Sequence, residues 1–184
     1  YHGTCMKQRK RLILILGPAK VGKTTVVQKV MALSKRRFGG FFTLANQEAK
    51  ERDFKLVTVL GREKGVPDPS HKLISPCAVE NVTTFNLDEL ESRGVTALHS
   101  ALSSSEVVVV DELGAMQLHS PTFKRLFEEL LASTAILIVT GNDKGLSYFA
   151  KLKKREDCVV FPITAESRCT IPDKINDHLH ELLD

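Results

Sequence analysis

The chain has 184 residues, of which 42% are hydrophobic and 26% are charged, and its formal net charge is +4 at pH 7. These values suit one globular domain with a sizeable core, and they exclude a low-complexity chain or a strongly basic nucleic-acid-binding chain. The four cysteines form no C-x-x-C pair and no apolar run approaches the 18 residues of a membrane span. We therefore expect free thiols and a cytoplasmic protein, or one from the interior of an organelle. Residues 1–10 are expected to be an N-terminal extension or a remnant of processing, followed by a single domain at 11–184.

The first predicted element is a buried strand that runs directly into a glycine-rich loop. Leu12–Leu16 are all apolar, as in a strand that is covered on both faces. Gly17–Thr24, which reads GPAKVGKT, then fits G-x-x-x-x-G-K-[ST] at every fixed position. Apolar residues at helical spacing predict a helix over Lys23–Ser34. Strand, loop and helix are the context in which this motif binds a nucleoside phosphate, so a chance match in an ordinary glycine turn is the weaker interpretation.

The residue types of this loop match the chemistry of a polyphosphate. Backbone N–H groups at a helix N-terminus converge on one anion, and glycines let the backbone approach it closely. Lys23 is expected to act in catalysis by reaching the β- and γ-phosphates, and the Thr24 hydroxyl is expected to hold Mg²⁺. The predicted nucleotide-binding residues are the loop and the threonine after it: Gly17, Pro18, Ala19, Lys20, Val21, Gly22, Lys23, Thr24 and Thr25.

The next elements depart from a plain alternation of strands and helices. Phe41–Leu44 and Phe54–Leu60 predict two strands that form an inserted β-hairpin. Ala78–Thr84 is compatible with a further short strand. Apolar residues at helical spacing over Leu87–Leu102 predict a helix, which Gly94 weakens.

Four valines, Val107–Val110, predict a second buried strand, and two carboxylates follow it directly. Open α/β sheets bind ligands at the carboxyl ends of their strands, so this is a Walker B pattern. Asp111 is expected to hold Mg²⁺, and Glu112 is expected to polarise the attacking water. A carboxylate directly after the metal-holding aspartate favours hydrolysis over transfer to a second substrate. An ordinary acidic turn is the plain alternative, and the intact phosphate loop upstream weakens it.

The rest of the chain continues the alternation. Ser120 and a following proline predict a capped helix start, and Ala135–Thr140 predicts a third long buried strand. Thr140 or Asn142 is either a polar sensor beside the γ-phosphate or part of a plain turn. Cys158–Ile163 predicts the last strand, before a closing helix. The sequence therefore predicts an α/β, three-layer P-loop NTPase fold, with a mostly parallel sheet, helices on both faces and an inserted β-hairpin.

At this point the chain resembles a known family, the THEP-type nucleoside triphosphatases, also called cancer-related nucleoside triphosphatases. The matching stretches are GPAKVGKTT at 17–25, GFFT at 40–43, VVVVDELGAMQLHSPTF at 107–123 and ITAESRCTIPDKI at 163–175. The third stretch is much more specific than the phosphate loop. The resemblance implies Mg²⁺-dependent hydrolysis of ATP, GTP and other nucleoside triphosphates, with loose base selectivity. It also implies that Arg168 lies near the nucleotide.

Several polar positions depart from the family pattern. The family commonly has Lys where Ala115 stands, Glu where Gln117 stands and Asn where Ser167 stands. These departures indicate a divergent member and leave two alternatives open. One is a nucleoside or nucleotide kinase, since such kinases also begin with GPxxxGKTT. The other is a nucleotide-binding switch or RNA-associated module with little turnover, which the basic Lys151–Arg155 also motivates, although a solvated helix face is the favoured interpretation of that cluster.

Overall fold

The computed structural model describes residues 9–45, 54–59, 90–142, 144 and 147–184. The strand predicted at 78–84 and the connection within the predicted hairpin lie outside these residues. In chain order the elements are β1 (Leu12–Leu16), α1 (Lys23–Leu33), β2 (Phe38–Ala45), β3 (Phe54–Val59), a π-helical turn (Leu90–Gly94), α2 (Val95–Ser104), β4 (Val107–Val110), α3 (Ala115–His119), α4 (Pro121–Ala132), β5 (Ile136–Gly141), α5 (Tyr148–Lys153), β6 (Cys158–Pro162), a 3₁₀ turn (Ser167–Cys169) and α6 (Ile171–Leu183). In this part of the chain, none of the helices has the length and apolar character needed to cross a membrane.

The strands form one six-stranded sheet in the order β3-β2-β4-β5-β1-β6. Every neighbouring pair is parallel except β2 and β3, which pair antiparallel. The predicted α/β fold, with its mostly parallel sheet and added antiparallel strand, is therefore confirmed. Because β5 lies between β1 and β4, the loop after β1 and the carboxylates after β4 lie at the same edge of the sheet, one strand apart.

The core has two layers, one on each face of the sheet. Successive residues of each buried strand alternate between them, which is why β1, β4 and β5 read as continuous apolar runs. One layer packs Leu12, Leu14, Val108, Val110, Leu137 and Val139 against apolar side chains of α2, α4 and α5. The other packs Ile13, Ile15, Val107, Val109 and Ile138 against α1 and α6. The phosphate-loop helix is thus held against the sheet from one side.

Three elements show the main differences between the structure and the prediction. β2 begins at Phe38, three residues before its predicted start. Within it Gly40 has φ 104°, and a Cβ there would overlap the Val109 carbonyl of β4, so the glycine lets the two strands approach. The helix predicted over Leu87–Leu102 divides at Gly94 into a π-helical turn and α2. Helix α3 was not predicted, because five residues are too few to display a period.

Two arginines and an aspartate tie the first strand, the last strand and the end of α4 together. Arg11 Nη2 donates to the Leu131 carbonyl, as does Arg155 Nη2 (3.0 Å), so both side chains cap a carbonyl in the last turn of α4. Arg11 Nη1 donates to the Ala135 carbonyl just beyond the helix (2.9 Å). Asp157 receives hydrogen bonds from Arg155 Nε and Nη2 (2.9 and 3.0 Å), and one of its oxygens lies 3.2 Å from Arg11 Nη2. Burial would raise the pKa of the Asp157 carboxyl, but the two arginines outweigh it and the pKa is lowered.

We expect Asp157→Asn to lower the free energy of unfolding by about 2 kcal/mol at pH 7, less than for a fully enclosed pair because Arg155 is 35% exposed. Since the folded pKa is depressed, the stabilisation is present above the unfolded pKa of about 3.9 and is lost as the pH falls through the folded value. Chemical denaturation should therefore show a difference in the free energy of unfolding between the wild type and Asp157→Asn at neutral pH, and this difference should disappear in acid. Asp177→Asn, on the exposed side of α6, is the control. A difference in unfolding free energy that does not change with pH would contradict this prediction.

Candidate functional site

The glycine-rich loop joins β1 to α1 and is confined by the ends of β5 and β6. The Gly17 N–H donates to the Gly141 carbonyl (3.2 Å), and a Cβ at Gly17 would lie 2.8 Å from the Ile163 carbonyl oxygen. Lys20 and Gly22 take left-handed backbone conformations, with φ 61° and φ 104°. The loop therefore turns sharply twice before α1 begins. Such a succession of turned residues forms the concave backbone surface that binds anions.

Lys23 is enclosed by this loop. Its side chain is only 2% exposed, and Nζ donates to the Gly17 and Pro18 carbonyls (2.9 and 2.8 Å). The same nitrogen lies 3.5 Å from Oε1 of Glu112, whose side chain is 42% exposed. The structure thus brings the predicted loop lysine and the predicted water-polarising carboxylate into one ion pair.

Asp111 directly precedes Glu112 in the chain and is completely buried. Its Oδ2 accepts a hydrogen bond from Thr24 Oγ1 (2.8 Å), and its Oδ1 accepts one from Thr140 Oγ1 (2.6 Å). A buried carboxylate is tolerated only when its oxygens have partners, and here the hydroxyls supply two. The two predicted metal-holding side chains, Thr24 and Asp111, are therefore in direct contact.

These oxygens fit Mg²⁺. Hydroxyl and carboxylate oxygens are ligands that Mg²⁺ accepts, and it keeps further positions for phosphates and waters. Among the described residues no group of three or more His, Cys, Asp or Glu could hold a metal by itself. The donor set of Thr24 and Asp111 thus suits a metal that arrives with a polyphosphate rather than one in a closed protein cage.

Arg168 lies beside the loop from another direction. It is on the exposed 3₁₀ turn after β6, close to Gly22 of the loop: a Cβ at Gly22 would lie 3.8 Å from Cδ of Arg168. Thr164 and Ser167 hold this turn reciprocally, since each backbone N–H donates to the other's hydroxyl (2.9 and 3.1 Å). Ser167 therefore supports the turn that carries Arg168.

The remaining predicted residues divide into two groups. Pro18, Ala19, Lys20 and Thr25 are exposed, while Val21 packs partly into the core. Asn142 is exposed and its Oδ1 accepts from the Lys144 N–H (3.2 Å), as in a plain turn.

Thr140 does not have the environment expected of a sensor beside the γ-phosphate. Its hydroxyl is buried and is hydrogen-bonded to Asp111. Sequence reasoning missed this bridge and the proximity of the Ile163 carbonyl to the loop. Both depend on the strand order, of which the sequence carries no local signal.

Fold and site together define the class. A parallel sheet carries a G-x-x-x-x-G-K-T loop and an aspartate–glutamate pair at one edge, which makes this a P-loop NTPase.

A family model described as NTPase matches residues 12–176, so the chain belongs to this NTPase family and is a nucleoside-triphosphate phosphatase, as the resemblance predicted. The nucleoside-triphosphatase THEP1 of Thermotoga maritima is 34% identical over 164 residues, with 89% of this chain and 92% of that protein covered. The cancer-related nucleoside-triphosphatase homolog of Mus musculus is 30% identical over 179 residues, with 89% and 94% covered.

Two solved structures share the architecture. The solution structure of a human cancer-related nucleoside triphosphatase has a TM-score of 0.67 and 26% identity, with 93% of this chain and 98% of that chain covered. The crystal structure of THEP1 from the hyperthermophile Aquifex aeolicus has a TM-score of 0.68, with 89% and 96% covered. Its 24% identity supports the likeness of fold alone.

Proposed function

We propose that this protein hydrolyses nucleoside 5′-triphosphates, including ATP and GTP, to the diphosphate and phosphate with Mg²⁺. The observation that carries the proposal is the cluster around Lys23 Nζ. That nitrogen lies within 3.5 Å of the loop carbonyls and of Glu112. The residues next to this pair in the chain, Thr24 and Asp111, are hydrogen-bonded to each other at 2.8 Å. Cation, carboxylate and metal-binding oxygens are thus grouped at one edge of the sheet, as phosphoryl transfer to water requires.

Each side chain has a distinct part in the proposed reaction. The loop N–H groups and Lys23 bind the phosphates, for which Nζ exchanges its carbonyl partners for phosphate oxygens. Thr24 and Asp111 would hold Mg²⁺, which when bound would supply positive charge against the phosphates. Glu112 is released from Lys23, orients a water molecule towards the γ-phosphorus and accepts its proton. Most of the rate enhancement then comes from positioning and electrostatic stabilisation.

Membership of the NTPase family favours hydrolysis over the kinase alternative. Loose base selectivity stays an expectation from the family resemblance, and a cytoplasmic location stays an expectation from the sequence. The test is phosphate release from ATP, GTP, CTP and UTP, each with and without Mg²⁺ and without any acceptor. We expect phosphate from all four in the presence of Mg²⁺. Product that forms only when an acceptor is added would favour a kinase, and tight binding without turnover would favour a switch.

Arg168 is proposed to bind the nucleoside end of the substrate. In the strand order β4-β5-β1-β6, the turn that carries Arg168 follows β6, on the opposite side of β1 from the strand that carries Asp111 and Glu112. Since Glu112 acts at the γ-phosphate in this proposal, a group on the opposite side is suited to the α-phosphate or the nucleoside. A guanidinium can also lie flat on any base, which agrees with loose base selectivity.

We expect Arg168→Ala to raise the Kd of ATP and of ADP by the same factor, about three- to tenfold, and to leave kcat unchanged. The reason is that a contact at the nucleoside end is equally strong before and during reaction. Calorimetry with both nucleotides and steady-state kinetics measure the two quantities. Arg125→Ala, on the exposed face of α4, is the matched control. A fall in kcat at unchanged affinity would instead assign Arg168 to the transition state.

A further inference from the structure

Thr140 lies near the end of β5, between the strand that leads into the phosphate loop and the strand that leads into the acidic pair. It is completely buried. Its Oγ1 donates to Asp111 Oδ1 (2.6 Å) and accepts from the Glu112 N–H (2.8 Å), and its carbonyl accepts from the Leu113 N–H (2.8 Å). One residue therefore contacts three consecutive residues of the turn after β4.

The bond to the Glu112 N–H matters because this residue has an unusual backbone. Glu112 has φ 59°, in the left-handed region that residues with a side chain rarely adopt. Such a conformation persists where surrounding contacts determine it. The Thr140 hydroxyl supplies one of those contacts, and the resulting turn leads the Glu112 carboxylate to 3.5 Å from Lys23 Nζ.

The bond to Asp111 fixes the second carboxylate. With Oδ1 held by Thr140, Oδ2 is directed towards Thr24 Oγ1 at 2.8 Å. The hydroxyl has a single proton, and that proton is donated to Asp111. It is therefore not available to a phosphate, and the residue acts through its neighbours.

We propose that Thr140 is a positioning residue that sets Asp111 and Glu112 together, so that the metal-holding oxygen and the water-orienting carboxylate keep a fixed relation to Lys23 and Thr24. This inference rests on the proposed function for its kinetic consequence. Its structural part, the support of the Glu112 amide, is independent of turnover. A chain that lacks the hydroxyl should keep β5 in place, because the bond from the Leu113 N–H to the Thr140 carbonyl does not use the side chain.

The experiment compares Thr140→Val, which removes the hydroxyl at nearly constant volume, with Thr140→Ser, which keeps it. Ile138→Val is the matched control, since it changes a buried residue two positions earlier in the same strand, on the same face of the sheet as Thr140. Amide hydrogen exchange of Glu112, calorimetry of ATP with and without Mg²⁺, and steady-state kinetics are measured on all four proteins. Thr140→Ala repeats the test with less crowding should the valine variant fail to fold.

We expect the Glu112 amide to exchange about tenfold faster in Thr140→Val, while the amides of β4 keep their rates. Metal-free ATP binding should stay within about twofold, the tightening by Mg²⁺ should diminish, and kcat should fall about ten- to a hundredfold. Thr140→Ser and Ile138→Val should resemble the wild type. Unchanged Glu112 exchange, or a serine variant as impaired as the valine variant, would overturn the proposal. A wild-type protein without turnover would remove the proposed function, and the exchange result would still decide the role of Thr140.

Discussion

Glu112→Gln should lower kcat by about a hundredfold or more and keep nucleotide binding. The substitution removes the group that orients water and accepts its proton, a contribution of about 10² to 10⁴ in other enzymes. Glutamine has the same length and meets the same left-handed backbone cost at φ 59°, so the turn is preserved. Lys23 also loses a competing carboxylate at 3.5 Å, so the Kd of ATP should be unchanged or slightly lower.

Phosphate release measures the first quantity and calorimetry the second. Glu129→Gln, an exposed carboxylate of α4 that is remote from the loop, provides the control for a lost charge. Turnover equal to that of the wild type would remove Glu112 from the mechanism.

Lys23→Ala should act on binding itself. A hydrogen bond from an ionised group contributes about 1.5 to 3 kcal/mol, so the Kd of ATP should rise about ten- to a hundredfold. The lysine now donates to two loop carbonyls, and those carbonyls can turn to water once it is gone. Circular dichroism and thermal unfolding would verify that the loop change leaves the domain folded.

The control for this variant is Lys29→Ala, which removes an exposed lysine from the same helix. The ratio of the two dissociation constants isolates the effect of the loop position. Equal affinities for the two variants would count against the assignment of residues 17–24 as a phosphate loop.

The parts of the fold that could be predicted are those with a local signal. The valines of β4 and the apolar run of β1 indicated buried strands because both faces of a covered parallel sheet exclude polar residues. The loop could be recognised from fixed spacing alone. The early start of β2 could not be predicted, because two successive glycines, Gly39 and Gly40, indicate a break in secondary structure. Only the neighbouring strand β4, whose backbone lies against Gly40, explains why glycine stands there.

The candidate site shows the same division. The expected roles of Lys23, Thr24, Asp111 and Glu112 follow from the phosphate-loop and Walker B motifs alone. The bridge through Thr140 depends on a strand placed between two others, and the Lys23–Glu112 pair depends on a left-handed residue. Both are products of long-range packing. The roles themselves remain predictions that the variants above will test.

The position of Arg11 has a consequence for the limits of the domain. Its side chain closes the end of α4 and faces Asp157, while the carbonyl of its neighbour Lys10 lies 2.7 Å from His178 Nε2 on the last helix. A chain shortened to begin at Leu12 would retain every described strand and the whole phosphate loop. It would lose the contacts of Arg11 and the hydrogen bond between the Lys10 carbonyl and His178. The contacts of the domain therefore extend to Lys10, the last residue of the segment that the sequence alone assigned to an N-terminal extension or a remnant of processing.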